Sequence, residues 1–157
     1  FLHFSQPSIN ACSKRCEMPE LLVKALGVEP LDLYTNEDYV VLLSSEDEVK
    51  SVSPDFSTMR EIDTRGIIIT APGDKVDFVS RFFAPRFGID EDPVTGSAHC
   101  VLTPFWAERL GKSSLTAKQV STRIGDLKCV LEGERVKIIG TAVPYMQAEI
   151  EIDSVTG

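Results

Sequence analysis

The chain has 157 residues, 43% of them hydrophobic, and a formal net charge of −8, which suits one ordinary domain with a buried core and would repel a phosphate backbone. Nucleic acid is excluded as a partner. No run approaches the about 18 apolar residues of a membrane-spanning helix, and FLHFSQPSIN lacks the basic start, apolar stretch and small-residue cleavage site of an export signal, so neither membrane insertion nor export is expected.

The opening segment to about Ser13 reads as extended and then turn-like, with Pro7 and Asn10 as breakers. FLHF resembles the tail of a strand already under way, so further sequence is expected upstream. Pro19 starts a short helix, ELLVKAL, that Gly27 stops. Tyr39 to Leu43 is an apolar run of strand length. Ser45, followed three residues later by Glu48, forms a capping box that predicts a surface helix from Ser45 to Val52, ended by Pro54. Another short helical turn is expected over Asp55 to Ile62. Gly66 to Ala71 (GIIITA) and Val76 to Phe83 read as neighbouring strands joined by a Pro72-Gly73-Asp74 turn. The loop APRFGIDEDPVTG then opens into a helix over Ser97 to Leu110, where Ala98, Val101, Leu102, Phe105, Trp106 and Leu110 recur at helical spacing and Gly111 ends the element. Four strand-like pieces follow, Ala117 to Ser121, Leu127 to Leu131, Val136 to Thr141 and Met146 to Ile152, separated by Gly125, Gly133 and Pro144. Strands on both sides of a mostly apolar helix predict an α+β chain whose sheet curls about that helix.

The chemistry-bearing stretch is Asp90-Glu91-Asp92-Pro93-Val94-Thr95-Gly96-Ser97-Ala98-His99. Three acids precede a proline, and Thr-Gly-Ser then opens a helix whose first backbone N–H groups have no partner inside it. Gly96 leaves room for close approach, Thr95 and Ser97 offer hydroxyl donors, and the helix dipole adds about half a positive charge at that end. A carboxylate or other small anion suits such a tip. The plainer alternative is that Thr95 only caps the helix and the acids form a solvated loop. The four cysteines, Cys12, Cys16, Cys100 and Cys129, include one close pair without the second pair that a zinc site needs. Free thiols in a reducing cytosol are expected, with a disulfide or a metal as alternatives. Ser97 and His99 lie two apart on a helix and face different ways, and no G-x-S-x-G elbow exists, which argues against a serine hydrolase. His99 is expected to be a satisfied helix residue near a cleft, Cys100 a packed thiol, and Trp106 with Phe105 core or interface.

The run SRFFAPRFGIDEDPVTGSAHCVLTPFWAERLGK, Ser80 to Lys112, resembles the signature region of the phenazine-biosynthesis-like (PhzF-like) family, whose fold is that of diaminopimelate epimerase. Upstream, PELLVKALG, EDEVKSVSPDF and RGIIITAPGD resemble the same family, as do QVSTRIGDLKCVL and ERVKIIGTAV downstream. The resemblance implies a protein of two pseudo-symmetric lobes, each a barrel-like curled mixed or antiparallel sheet around a central helix, with the active site between the helix N-termini. Residues 1–157 are similar to the second, C-terminal lobe alone. Asp92 matches the family's aspartate facing a first-lobe glutamate, and would orient the substrate, polarise it or serve as the second proton carrier. Gly96 and Ser97 match the positions that bind the substrate carboxylate, with Thr95 beside them.

The implied reaction moves a proton between carbons of a small unsaturated carboxylic acid, with no metal, flavin or pyridoxal cofactor. Two departures stand out: Arg123-Ile124-Gly125 replaces the family's Arg-Gly-Gly, and Ala148 replaces a glycine near the last strand. The first-lobe motifs, with their glutamate, Gly-Asn-Pro turn and Cys-Gly-His segment, have no counterpart here. The chain alone is therefore expected to be inactive unless the N-terminal lobe or a second chain completes the cleft. An unpaired lobe exposes an apolar face that favours self-association, so a homodimer in the cytoplasm is expected. A non-catalytic binding or scaffolding protein that keeps the fold is the rival reading.

Overall fold

The computed structural model of the chain describes residues 2–7, 14–35, 37–143 and 145–149. Nine strands form one mixed sheet: β1 (Leu2–Pro7), β2 (Lys14–Arg15), β3 (Asp32–Thr35), β4 (Tyr39–Leu42), β5 (Ile67–Pro72), β6 (Phe78–Phe83), β7 (Ser114–Gln119), β8 (Gly125–Glu132) and β9 (Arg135–Gly140). Their order across the sheet is β1-β9-β8-β7-β6-β5-β4-β3-β2. Neighbours are antiparallel except at β4–β5 and β6–β7. Parallel neighbours cannot be joined by a hairpin and need a crossover, and the chain supplies one at each join. Helices α2 (Glu46–Ser51) and α3 (Phe56–Met59) connect β4 to β5, and helix α4 (Gly96–Leu110) connects β6 to β7.

The two crossovers cover opposite faces of the sheet, which explains why β5 reads as an unbroken apolar run. Ile68, Phe78 and Phe82 share a cluster with α4, whereas Ile67, Ile69, Ala71, Val79 and Phe83 pack with α2, α3 and the earlier helix α1 (Glu20–Leu26). On the α4 side one apolar cluster takes in Tyr34, Val40, Ile68, Phe78, Leu115, Leu127 and Val136, one residue from each of strands β3 to β9. Seven flat strands would be about 29 Å across, whereas a helix is about 10–12 Å wide. The sheet therefore curls around α4. Among the described residues it does not close into a barrel, because β1 and β2 stand at the ends of the strand order.

Local signals in the sequence act as expected. Pro19 sits just outside α1, and Gly27 ends it at φ 69°, a left-handed conformation that favours glycine. Ser45 accepts the Glu48 N–H, but the Glu48 carboxylate reaches back to Ser44, bonding its N–H at 2.8 Å, so the capping box closes one residue earlier than in its usual form. Trp106 stacks on Phe78 at 5.8 Å between ring centroids and donates its indole N–H to Thr70 at 3.0 Å, so its one polar group is satisfied in the core.

Two expectations change. Strands β2 and β3 lie in sequence that carries no strand signal of its own. The strand expected over Met146 to Ile152 does not form over residues 145–149, where Tyr145 and Met146 are exposed without a partner strand, and its remainder lies outside the described residues. Cys12 and the opening segment from Ser8 to Ser13 also lie outside them. Among the described residues Cys16, Cys100 and Cys129 are in no disulfide, and no helix is long and apolar enough to cross a membrane.

Candidate active site

After β6 the chain makes a short 3-10 turn at Pro85–Phe87 and doubles back, so that the Asp92 N–H donates to the Phe82 carbonyl at 3.0 Å. Each acid of Asp90-Glu91-Asp92 then meets a different partner. Asp90 accepts from Arg60 at 2.8 Å, with both side chains half-exposed, an arrangement worth little in water. Glu91 takes Arg81 bidentately at 2.7 and 3.1 Å, and the pair is 11% and 16% exposed. Arg81 also donates to the carbonyls of Val52 at 2.7 Å and Val49 at 3.2 Å. Asp92 has no cationic partner among the described residues. Its Oδ2 accepts a short hydrogen bond from the Thr95 hydroxyl.

The turn from Asp92 to Thr95 is held from beneath by β7 and the residues after it. Gln119, fully buried, accepts the Thr95 N–H at 2.8 Å and donates to the Asp92 carbonyl at 2.7 Å and to the Thr95 hydroxyl at 3.2 Å. Ser121 donates to the Pro93 carbonyl at 2.8 Å. Gly125 packs against Val94 so closely that a Cβ there would overlap the valine methyls. The sequence placed Gln119 and Ser121 only in a strand-like piece, Ala117 to Ser121, with no role of their own. Residues 24 to 28 positions from their partners in the chain become neighbours only when β7 pairs with β6.

Thr95 is the N-cap of α4, yet its side chain makes no capping bond because the hydroxyl turns to Asp92. It is buried, and its single proton is committed there. Gly96, Ser97 and Ala98 therefore begin the helix with amides that have neither an intrahelical acceptor nor a threonine cap. Gly96 is exposed, with nothing within 4 Å of where a Cβ would stand. Ser97 and Asp92 are half-buried. The site is an open ledge: a helix tip with free donors, a carboxyl without a cation beside it, and the exposed apolar side chain of Val94 in the turn between them.

His99 does not join the ledge. Its Nδ1 lies 2.7 Å from the Thr95 carbonyl, and because a carbonyl only accepts, that nitrogen carries the proton. The ring is fully buried against Phe78, and Nε2 finds no partner. Desolvation pulls its pKa below the ordinary histidine value, so the ring is neutral near pH 7. Cys100 is buried in the core, as are Phe105 and Trp106. Ile124 occupies the left-handed region at φ 51°, where a β-branched residue is strained.

Fold and site together define a lobe that presents one helix N-terminus and one free carboxyl on an open face. The phenazine biosynthesis-like protein family model, PhzC-PhzF, matches residues 1–148. An uncharacterised isomerase of Pseudomonas aeruginosa is 54% identical over 132 residues, covering 83% of this chain and 51% of that protein. Another from Halalkalibacterium halodurans is 44% identical over 84% of this chain and 51% of its own length. The crystal structure of a PhzF-family phenazine biosynthesis protein from Enterococcus faecalis superposes with a TM-score of 0.85 at 41% identity, covering 88% of this chain and 53% of that one. The chain belongs to the phenazine biosynthesis-like protein family, and its fold is a diaminopimelate-epimerase-like lobe. It spans about half the length of the relatives it matches.

Proposed function

We propose that the chain forms one wall of the active site of an isomerase that moves a proton between carbons of a small carboxylic acid, without a metal or organic cofactor. The observation that carries this reading is Asp92, a half-buried carboxyl with no cationic partner among the described residues, fixed beside an uncapped helix tip. The amides of Gly96 and Ser97, with the Ser97 hydroxyl, would hold the substrate carboxylate, since oriented N–H groups at a helix start favour an anion. Thr95 would act one step back, by holding Asp92. Removing a proton beside a conjugated system needs a base within hydrogen-bond reach and fixed donors for the developing charge, and the ledge offers both kinds of group. An open ledge leaves water in place, so the reaction needs a second wall. In this reading the rest of a longer protein or a second chain supplies it, together with the opposing glutamate.

The exposed apolar side chains of Ile89, Val94 and Ile124, in the segments that lead into the ledge and follow the strand bracing it, favour a second reading, in which the face docks another copy of the chain and no reaction takes place. Titration with 2-aminobenzoate, followed through backbone amide NMR shifts, separates the two. Millimolar binding, about −4 kcal/mol, with the largest shifts at Gly96, Ser97 and Ala98, supports the proposal. No shift at those amides, together with dimerisation through the ledge, would overturn it in favour of the docking reading.

A further inference from the structure

The carboxamide of Gln119 can sit in only one orientation. Its Oε1 accepts the Thr95 N–H at 2.8 Å, and a flipped amide would set Nε2, which only donates, against that N–H. Nε2 therefore points to the Asp92 carbonyl at 2.7 Å and the Thr95 hydroxyl oxygen at 3.2 Å. A hydroxyl that receives an N–H still has one proton to place, and Asp92 Oδ2 is the acceptor beside it. The polarity of the chain Gln119 to Thr95 to Asp92 is thus fixed by one backbone N–H. Gln119 is fully buried, so water does not compete for these bonds.

We infer that Gln119 is a positioning residue: acting through the Thr95 hydroxyl, it holds Asp92 by Oδ2 and leaves Oδ1 as the oxygen that faces the ligand and handles the proton. Oδ2 is occupied by a donor that cannot swing away without leaving one N–H of the buried carboxamide without its acceptor, which makes the two carboxylate oxygens inequivalent. The role in proton handling rests on the proposed function of Asp92, whereas the relay that fixes its side chain does not.

The test reads the Asp92 rotamer from its Hα–Hβ couplings in the chain as it stands. Thr95→Val removes the hydroxyl but keeps both backbone bonds of Gln119, and Thr95→Ser restores the hydroxyl. Gln119→Glu keeps the shape and adds a titration: when ionised, the introduced carboxyl has no proton to donate and the Thr95 hydroxyl turns towards it; when protonated, it has one proton for the Asp92 carbonyl or the Thr95 oxygen, and the hydroxyl turns back to Asp92. Burial raises the ionisation of that introduced carboxyl into about the pH 5–9 range. The expected results are one rotamer in the unaltered chain and in Thr95→Ser, and averaged couplings in Thr95→Val. Gln119→Glu should pass from one rotamer to averaging as pH rises. Unaltered couplings in Thr95→Val, or pH-independent couplings in Gln119→Glu, would overturn the inference; should Gln119→Glu not fold, the two Thr95 variants decide it. A purely structural Gln119 would lower the melting temperature on substitution and leave the Asp92 couplings alone. If the relay behaves as expected while 2-aminobenzoate leaves the Gly96 and Ser97 amides unshifted, the relay stands and the proposed function fails.

Discussion

Replacing Arg81 by methionine tests what holds the Asp90–Asp92 segment in place. The guanidinium makes two bonds to Glu91 and two to the carbonyls of Val49 and Val52 at the end of α2, and it lies 5.0 Å from the centre of the Phe83 ring. The pair is largely buried, so Arg81→Met leaves the Glu91 carboxylate without compensation. Removing one partner of such a pair costs about 3–5 kcal/mol, against about 0.2–1 kcal/mol for an exposed pair. For a domain of about 5–15 kcal/mol total stability, the loss is about a fifth or more. With a urea slope of about 2 kcal/mol/M, a loss of about 4 kcal/mol moves the midpoint down by about 2 M. The double variant Arg81→Met with Glu91→Leu should recover part of this, because no orphan charge remains, and the cycle should give a coupling above about 2 kcal/mol. A loss below about 1 kcal/mol in Arg81→Met, or simple additivity in the cycle, would refute the anchoring role.

Burial lowers the His99 pKa, so the unfolded chain takes up that proton first, near pH 6.5. The stability tied to the neutral ring is complete above that pH and is lost as pH falls below it, by up to about 1.4 kcal/mol per unit. Glu46, whose pKa is lowered chiefly by its bond to Lys50, acts in a separate window below about pH 4.5. Urea melts at pH 7.5 and 5.5 should show the decline in the unaltered chain and little of it in His99→Phe; an equal decline in both would assign it to another group. Ile124→Gly relieves about 1–2 kcal/mol of left-handed strain and gives back about 0.4–1 kcal/mol through a freer unfolded chain. A net gain of about 0.5–1 kcal/mol is expected, and a lower melting temperature would contradict it.

The helices were legible where capping chemistry is local. Ser45, Asp55, Gly27 and Gly111 each act within a few residues of themselves. Strands with an apolar run, such as β5, were legible for a similar reason. Strand β3 was not, because Asp32-Leu33-Tyr34-Thr35 mixes polar and apolar residues and becomes a strand through its pairing with β4. Residues 145–149 show the converse: alternation marks a segment able to pair, and pairing needs a partner that the described chain does not offer. At the candidate site the sequence pointed to Asp92, Gly96 and Ser97 and read Thr95 as an outward hydroxyl donor. The Gln119 clamp, which turns that hydroxyl inward, depends on a long-range strand pairing that no spacing reveals.

The three adjacent acids differ in consequence because of sheet register. Arg81 and Phe82 are consecutive on β6, so their side chains leave opposite faces; Phe82 joins the α4 cluster, while the Arg81 guanidinium reaches carbonyls of α2 on the other side. The returning segment is pinned by the Asp92 N–H to the Phe82 carbonyl. Glu91 is thereby directed to Arg81, and Asp92 to the face where α4 begins. A slip of one residue would undo this, bringing either Asp92 against the guanidinium with Pro93 at the helix tip, or Glu91 to the tip with Asp90 against the guanidinium. The buried pair between Arg81 and Glu91 resists that slip, since breaking it costs more than an exposed ion pair such as Arg60–Asp90 could return. Which carboxyl stands without a cation beside the helix tip is therefore decided by its neighbour: the strength with which Arg81 holds Glu91 keeps Asp92 clear of that guanidinium.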